Sequence, residues 1–230
     1  MKILITAGGT REDIDTVRGI TNYSTGRLGS CIADRFIEAG DAVTYICGEA
    51  AALPKQSPNL EIITIRNTVQ LQEKLEQALH AAPYDCVIHA MAVSDYAPHG
   101  VVTMGSIEDS LDLSGLDSLN DSKIPSDSPY LALILKRQPK VIQRIKEIQP
   151  DTLLVGFKLL SGASEAELVQ AAHKQMVQSR ADYVLANDLK DIKGSVHKAL
   201  LTNADGIVGR GGSKEEIAQM IYDTVGEATK

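Results

Sequence analysis

A chain of 230 residues with a formal net charge of -7 and a pI near 5.3 has the length for one sizeable core, and its acidic average field repels a phosphate backbone, so nucleic acid is not an expected partner. Cys31, Cys47 and Cys86 fall in separate apolar stretches without Cys-x-x-Cys spacing, which predicts free buried thiols and no zinc site. The opening Met1–Ile5 run is too short for a signal peptide and no stretch reaches bilayer-spanning length, so a cytoplasmic protein without a membrane partner is expected.

Lys2 to Thr6 is a β-branched apolar run ended by Ala7-Gly8-Gly9, which predicts a buried first strand entering a tight turn. From Arg27, residues Leu28, Ile32, Phe36 and Ala39 recur at helical spacing before Gly40, a C-terminal cap. Ala42–Cys47 and Leu60–Ile65 read as strands, Leu71, Leu75, Ala78 and Leu79 as a helical face, and Asp85–Val93 as an almost unbroken apolar strand. Cys86 and His89 share that run and are expected to pack rather than to form a reactive thiol–imidazole pair.

Between His99 and Pro129 the pattern gives way to Ser, Asp and Gly, and a lid or mobile insertion (99–129) is expected within a single domain (1–230). Lys123 is a lone cation there among Asp117, Asp121 and Asp127; simple solubility or a surface ion pair is the plain alternative to a functional role. Alternation then resumes. Tyr130–Leu135 reads as a strand, Val141, Ile142, Ile145 and Ile148 as a helix, Thr152–Lys158 as a strand, and Ser164 with Glu167 as a capping box. Asp182–Ala186 is a further strand, followed by a hairpin around 203–206 and a helix with a second capping box at Ser213 and Glu216. The expected fold is α/β, a doubly wound, Rossmann-like and mostly parallel sheet with a C-terminal hairpin and helix.

Two segments could bind phosphate at the carboxyl edge of such a sheet. Thr6-Ala7-Gly8-Gly9-Thr10-Arg11-Glu12 follows the first strand, and its glycines would let backbone N–H groups approach an anion; a tight strand exit explains it equally. Asn22-Tyr23-Ser24-Thr25-Gly26-Arg27-Leu28-Gly29 brings hydroxyls, an amide and a cation to the start of the first helix, where Ser24 or Thr25 could instead be an ordinary N-cap and Gly29 a packing position. A nicotinamide-dependent oxidoreductase shares the fold class. Its glycine spacing is absent, however, and none of the seven tyrosines has a lysine four residues downstream. A non-catalytic nucleotide-binding module remains a third class.

Taken in order, Gly8-Gly9-Thr10-Arg11-Glu12, Asn22-x-Ser24-Thr25-Gly26-Arg27-x-Gly29, Ala90-Met91-Ala92-Val93-Ser94-Asp95-Tyr96, Lys123-Ile124, Pro139, Gly156-Phe157 and Ala186-Asn187-Asp188 resemble phosphopantothenoylcysteine synthetase along nearly the whole chain. The resemblance implies a ligase of coenzyme A biosynthesis. A nucleoside triphosphate, CTP in most bacterial members and ATP in the eukaryotic branch, would activate the carboxylate of 4′-phosphopantothenate as an acyl-nucleotide, and the amine of cysteine would displace the nucleotide, with Mg²⁺ sharing the charge neutralisation. It implies that Asn22 holds the acyl intermediate and that Lys123 reaches the phosphates. Gly8, Gly9, Thr10, Ser24, Gly26, Arg27, Ala90, Met91, Asp95, the turn Pro139-Lys140-Val141-Ile142 and Phe157 would bind nucleotide, and Ala92 would lie beside the pantothenate chain.

Three features depart from many bacterial relatives. Gln175 and Ser179 stand where those carry two helix lysines, with Lys174 and Arg180 as nearby substitutes. Phe157-Lys158-Leu159 is nearer the eukaryotic, ATP-using branch, which leaves CTP against ATP open. The chain also opens at the synthetase strand rather than in a flavin-dependent decarboxylase, so no flavin is expected. The family forms homodimers, which the resemblance carries over as an expectation.

Overall fold

Ile3, Leu4, Ile5 and Ala7 are fully buried in β1 (Lys2–Ala7), because both edges of the strand are paired and both faces are covered. Each such isoleucine or leucine contributes about 1.5–3 kcal/mol by leaving water. The computed structural model describes residues 1–106, 117–118, 124 and 127–229. After β1 come a small hairpin of β2 (Arg11–Asp13) and β3 (Gly19–Thr21), then α1 (Arg27–Glu38), β4 (Ala42–Gly48), β5 (Leu60–Ile65), α2 (Thr68–Ala81) and β6 (Cys86–His89). The chain continues through β7 (Tyr96–Met104), β8 (Asp117–Ser118), β9 (Tyr130–Arg137), α3 (Val141–Ile148), β10 (Leu153–Leu160), α4 (Glu165–Ser179) and β11 (Tyr183–Asp188). It ends with β12 (Ile192–Lys193), β13 (Val196–Asn203), β14 (Gly206–Ser213) and α5 (Lys214–Ala228).

Six strands run parallel in the order β5-β4-β1-β6-β10-β11, and antiparallel β13 extends the sheet beyond β11. Strand order reverses between β1 and β6, so the crevice at their carboxyl ends is the topological switch point where such sheets take ligands. Alternation along the strands feeds two cores. Ile3, Ile5, Cys86, Ile88 and Val155 pack with α1 and α5 on one face, whereas Leu4, Val87, Leu154 and Val184 pack with α2, α3 and α4 on the other.

The structure revises several sequence expectations. The apolar run from Asp85 is regular strand only from Cys86 to His89; beyond it Ala90 and Ala92 still bond to the chain leaving β1, but as an isolated bridge rather than a strand. Tyr130–Leu135 is indeed a strand, but β9 pairs with β7 and β8 in a separate three-stranded antiparallel sheet, so His99 lies within a strand rather than at the start of a loop. Apolar content alone cannot tell which sheet a strand will join. The Ser164–Glu167 capping box is complete at α4, whereas at α5 only the Ser213 half forms, because the Glu216 carboxylate accepts the N–H of Gly212 instead.

Candidate active site

The strands β1 and β6 do not splay apart at the switch point. Ala90 N–H donates to Thr6 O at 3.0 Å, Ala92 N–H to Gly8 O at 2.8 Å and Thr10 N–H to Ala92 O at 3.2 Å, which zips the two outgoing loops together. Buried Thr10 completes the zip, its hydroxyl donating to Ser94 Oγ and accepting from the Ser94 N–H, both at 3.0 Å. Glycine is required where these loops meet their neighbours. Gly8 has φ +82 and a Cβ there would fall 2.7 Å from the Ala51 Cβ, while a Cβ on Gly48 would collide with the carbonyl of Gly9. Gly8, Gly9 and Thr10 therefore build the backbone behind the site and do not form its wall.

In front of that zip lies a cleft of about 850 Å³, a volume that suits a nucleotide-sized ligand. Its wall takes in Ser24, Gly26 and Arg27 at the start of α1, then Ala90, Met91, Ala92 and Asp95 after β6. Pro139, Lys140, Val141 and Ile142 at the start of α3 and Phe157 on β10 complete the expected residues it brings together. Asn22 is exposed beside this wall, its Nδ2 donating to the carbonyl of Val93 at 3.3 Å. Lys123 lies outside the described residues. Asp95 is engaged by Lys140 Nζ in an ion pair, and Gln138 N–H donates to the Asp95 carbonyl at 2.8 Å, which ties the β6 loop to the approach to α3.

Charge is distributed unevenly for so acidic a chain. Arg27, Lys140, Lys158, Lys174 and Lys214 line the cleft, against the single carboxylate of Asp95 among the described residues. Helix capping adds to this field. Asn67, Ser164 and Ser213 cap α2, α4 and α5 through side-chain oxygens, but α1 begins at Gly26 (φ 69) and α3 at Lys140 with no side-chain cap and no acidic residue in the first turn. The two uncapped helices both start on the cleft wall, where free N–H groups and the helix dipole favour an anion. Neither Ser24 nor Thr25 is the N-cap of α1, because Gly26 in the left-handed region occupies that place.

The wall also takes in residues that the sequence comparison marked only as departures from bacterial relatives, and Gln178, which it did not mark. Lys158, Gln175, Gln178 and Ser179 face the cleft from β10 and α4, and so does Lys174, whereas Arg180 is the left-handed cap of α4 (φ 57) and is not part of the wall. His197 and Asn187 meet at 3.2 Å between Nε2 and Nδ2 on the α1 and α5 side, and burial, with Lys214 adding its charge, lowers the His197 pKa. His89 is buried at the end of β6 with its Nδ1 2.8 Å from Thr6 Oγ1. Cys86 is fully buried on the opposite face of the same strand, and burial pushes its thiol pKa up, so no thiol–imidazole pair exists.

Comparison with known proteins agrees with this architecture. Residues 1–107 and 116–228 match the family described as DNA/pantothenate metabolism flavoprotein C-terminal domain. The chain belongs to that family. Among its relatives, the coenzyme A biosynthesis bifunctional protein CoaBC of Thermococcus kodakarensis is 34% identical over 225 residues, 97% of this chain and 50% of that protein. This chain thus spans about half the length of the CoaBC proteins it matches. The crystal structure of the DNA/pantothenate metabolism flavoprotein from Streptococcus pneumoniae superimposes with a TM-score of 0.91 at 37% identity, covering 99% of both chains. A Cab2 variant in complex with phosphopantothenate-cysteine shares the fold, with a TM-score of 0.73 at 18% identity over 99% of this chain and 86% of that one. Among the described residues, no helix is long and apolar enough to cross a membrane.

Proposed function

We propose that the chain is a phosphopantothenate–cysteine ligase. It condenses 4′-phosphopantothenate with cysteine through an acyl-nucleotide, in the cytoplasm and as a homodimer. The observation that carries this reading is the cleft at the switch point, where, among the described residues, five cations and two uncapped helix N-termini face a single carboxylate in a chain of net charge -7. Such a site concentrates negative charge, and the reaction brings together a triphosphate, a carboxylate and a phosphate monoester, all anionic. The names of the CoaBC relatives support the same chemistry.

In this reading the substrate carboxylate attacks the α-phosphorus and pyrophosphate leaves; the amine of cysteine then attacks the acyl carbon, and the nucleoside monophosphate leaves as the amine loses a proton. Both steps need positioning and charge neutralisation rather than a protein nucleophile. Arg27 and the N-terminus of α1 hold phosphate, and Ser24 adds a hydroxyl there. Asn22, held against the Val93 carbonyl, presents its amide to the acyl group beside Ala92. Lys123 supplies a further cation to the phosphates. Mg²⁺ bound with the triphosphate would share the neutralisation of its charge, and Asp95 on the cleft wall is a carboxylate that could help to hold it.

Pyrophosphate release tests the proposal, with purified protein, 4′-phosphopantothenate, cysteine and Mg²⁺, comparing CTP with ATP and omitting each substrate in turn. Release that depends on phosphopantothenate is expected. A folded protein that releases none with either nucleotide would overturn the ligase reading.

A further inference from the structure

The start of α1 faces the cleft without a side-chain cap, so its direction is set by what stands behind it. Behind it runs the segment that leaves β4. Ala51 N–H donates to the Gly48 carbonyl and Ala52 N–H to the Thr25 carbonyl, both at 2.9 Å, so this segment bonds to the residue that precedes Gly26. Tyr45 on β4 is fully buried and donates its hydroxyl to the Ala52 carbonyl at 2.9 Å. Burial raises the Tyr45 pKa, which keeps that donor protonated. Ala52 is therefore held at both polar groups of its backbone, on one side by the core and on the other by the start of α1.

Packing fixes the same point. Gly8 and Gly26 both lie in the left-handed region, with φ +82 and +69, and a Cβ on either would fall 2.7 or 2.9 Å from the Ala51 Cβ. The Ala51 methyl group thus fills the space left by two missing side chains, between the turn after β1 and the first residue of α1. Further along, Lys55 N–H donates to Asp34 Oδ1 at 2.7 Å and the Lys55 ammonium pairs with Glu38 at 2.8 Å, so the same segment follows α1 to its last residue. Tyr45, Ala51 and Ala52 do not belong to the cleft wall and act on it only through Thr25 and Gly26, which do. Direction matters at such a helix start: hydrogen bonds weaken steeply when misaligned, and the influence of the dipole is confined to the first turn.

We propose that Tyr45 and Ala51 are positioning residues for anion binding, which aim the free N–H groups of the first turn of α1 into the cleft by way of Ala52 and Gly26. This rests on the reading of α1 as holding the phosphates of the nucleotide.

The test is binding of pyrophosphate, CTP and ATP by calorimetry without phosphopantothenate, beside steady-state kinetics and melting temperature. Tyr45→Phe keeps the ring and Ala51→Gly removes only a methyl group. Each is expected to weaken all three affinities about tenfold, the value of one misaligned hydrogen bond, and to raise the nucleotide KM with kcat little changed. Asp34→Ala frees the same segment from the middle of α1, away from the cleft, and is expected to lower the melting temperature without changing these affinities. In an Arg27→Gln background the effect of Tyr45→Phe is expected to shrink, because both changes act on one bound anion. Unchanged affinities in folded Tyr45→Phe and Ala51→Gly, or an equal weakening in Asp34→Ala, would make the segment a brace for stability alone and overturn the inference. Nucleotide binding without phosphopantothenate-dependent turnover would remove the ligase reading and leave the Kd values to decide this one; a wild-type protein that binds none of the three anions overturns it.

Discussion

The carboxylate of Asp15 holds the backbone N–H of Ile124 at 3.1 Å, 109 residues further along the chain. The same carboxylate accepts from the N–H groups of Val17 and Arg18 and from two nitrogens of the Arg18 guanidinium, and Arg18 in turn donates to the Ile124 carbonyl at 3.0 Å. The β2–β3 turn thus grips both polar groups of one peptide residue, next in sequence to Lys123. First the Arg18 guanidinium, then the backbone donors, hold the Asp15 pKa well below its ordinary value near 3.8. Because the folded value is the lower one, Asp15 contributes stability above the ordinary carboxylate range, and that contribution is lost as pH falls through the folded value. Asp15→Asn is therefore expected to lower the melting temperature at pH 7 and to flatten its decline below about pH 4. Thermal unfolding of both proteins across pH 2–7 checks this.

Asn22→Asp should leave the fold intact, since the side chain is exposed on a loop, yet the new carboxylate cannot donate to the Val93 carbonyl and repels an anionic substrate. Amide formation should fall about a hundredfold or more with an unchanged melting temperature. Normal turnover in the folded variant would remove Asn22 from the mechanism.

Lys123→Gln should lower turnover by a similar factor, on the order of a hundredfold, with little change in melting temperature. Retained activity together with a large loss of stability would assign the lysine a structural role instead.

Two serines at the starts of helices should behave oppositely. Ser164→Ala removes the capping box of α4 and is expected to cost about 1 kcal/mol without affecting turnover. Ser24→Ala removes no cap, because α1 starts at Gly26 without one, and is expected to raise the nucleotide KM at unchanged stability. Denaturant unfolding and steady-state kinetics on both variants separate the two effects.

Gly48→Ala places a methyl group against the carbonyl of Gly9, a backbone atom that cannot move without opening the zip between the β1 and β6 loops. A loss of about 1–3 kcal/mol of stability is expected, with activity falling as the Ala90–Asp95 wall shifts. Unchanged denaturant unfolding would show that these loops are looser than their hydrogen bonds imply.

Alternating apolar strands and helices dictate the doubly wound class, since a parallel strand covered on both faces must be buried along its length, and β1 and β4 are, beyond their first residue. Local signals also placed Gly40, the cap at Ser164 and the C-terminal hairpin, because caps and turns depend on neighbours a few residues away. The motif order brought out Ser24, Gly26, Arg27 and the 90–95 and 139–142 segments, all of which meet in one cleft. Other features are long-range and left no mark in the sequence. Whether Gly8 and Gly9 face a ligand or a neighbouring backbone depends on where Gly48 and Ala51 come to rest. Whether Tyr130–Leu135 joins the main sheet or pairs with β7 depends on which edge is open when it arrives. His89 read as core from its apolar run, and only the register that sets it between Thr6 and a bare Gly156, beneath Gln175, makes it a wall of the site. Periodicity fixes which face a side chain takes along its own strand; only tertiary packing decides what stands opposite.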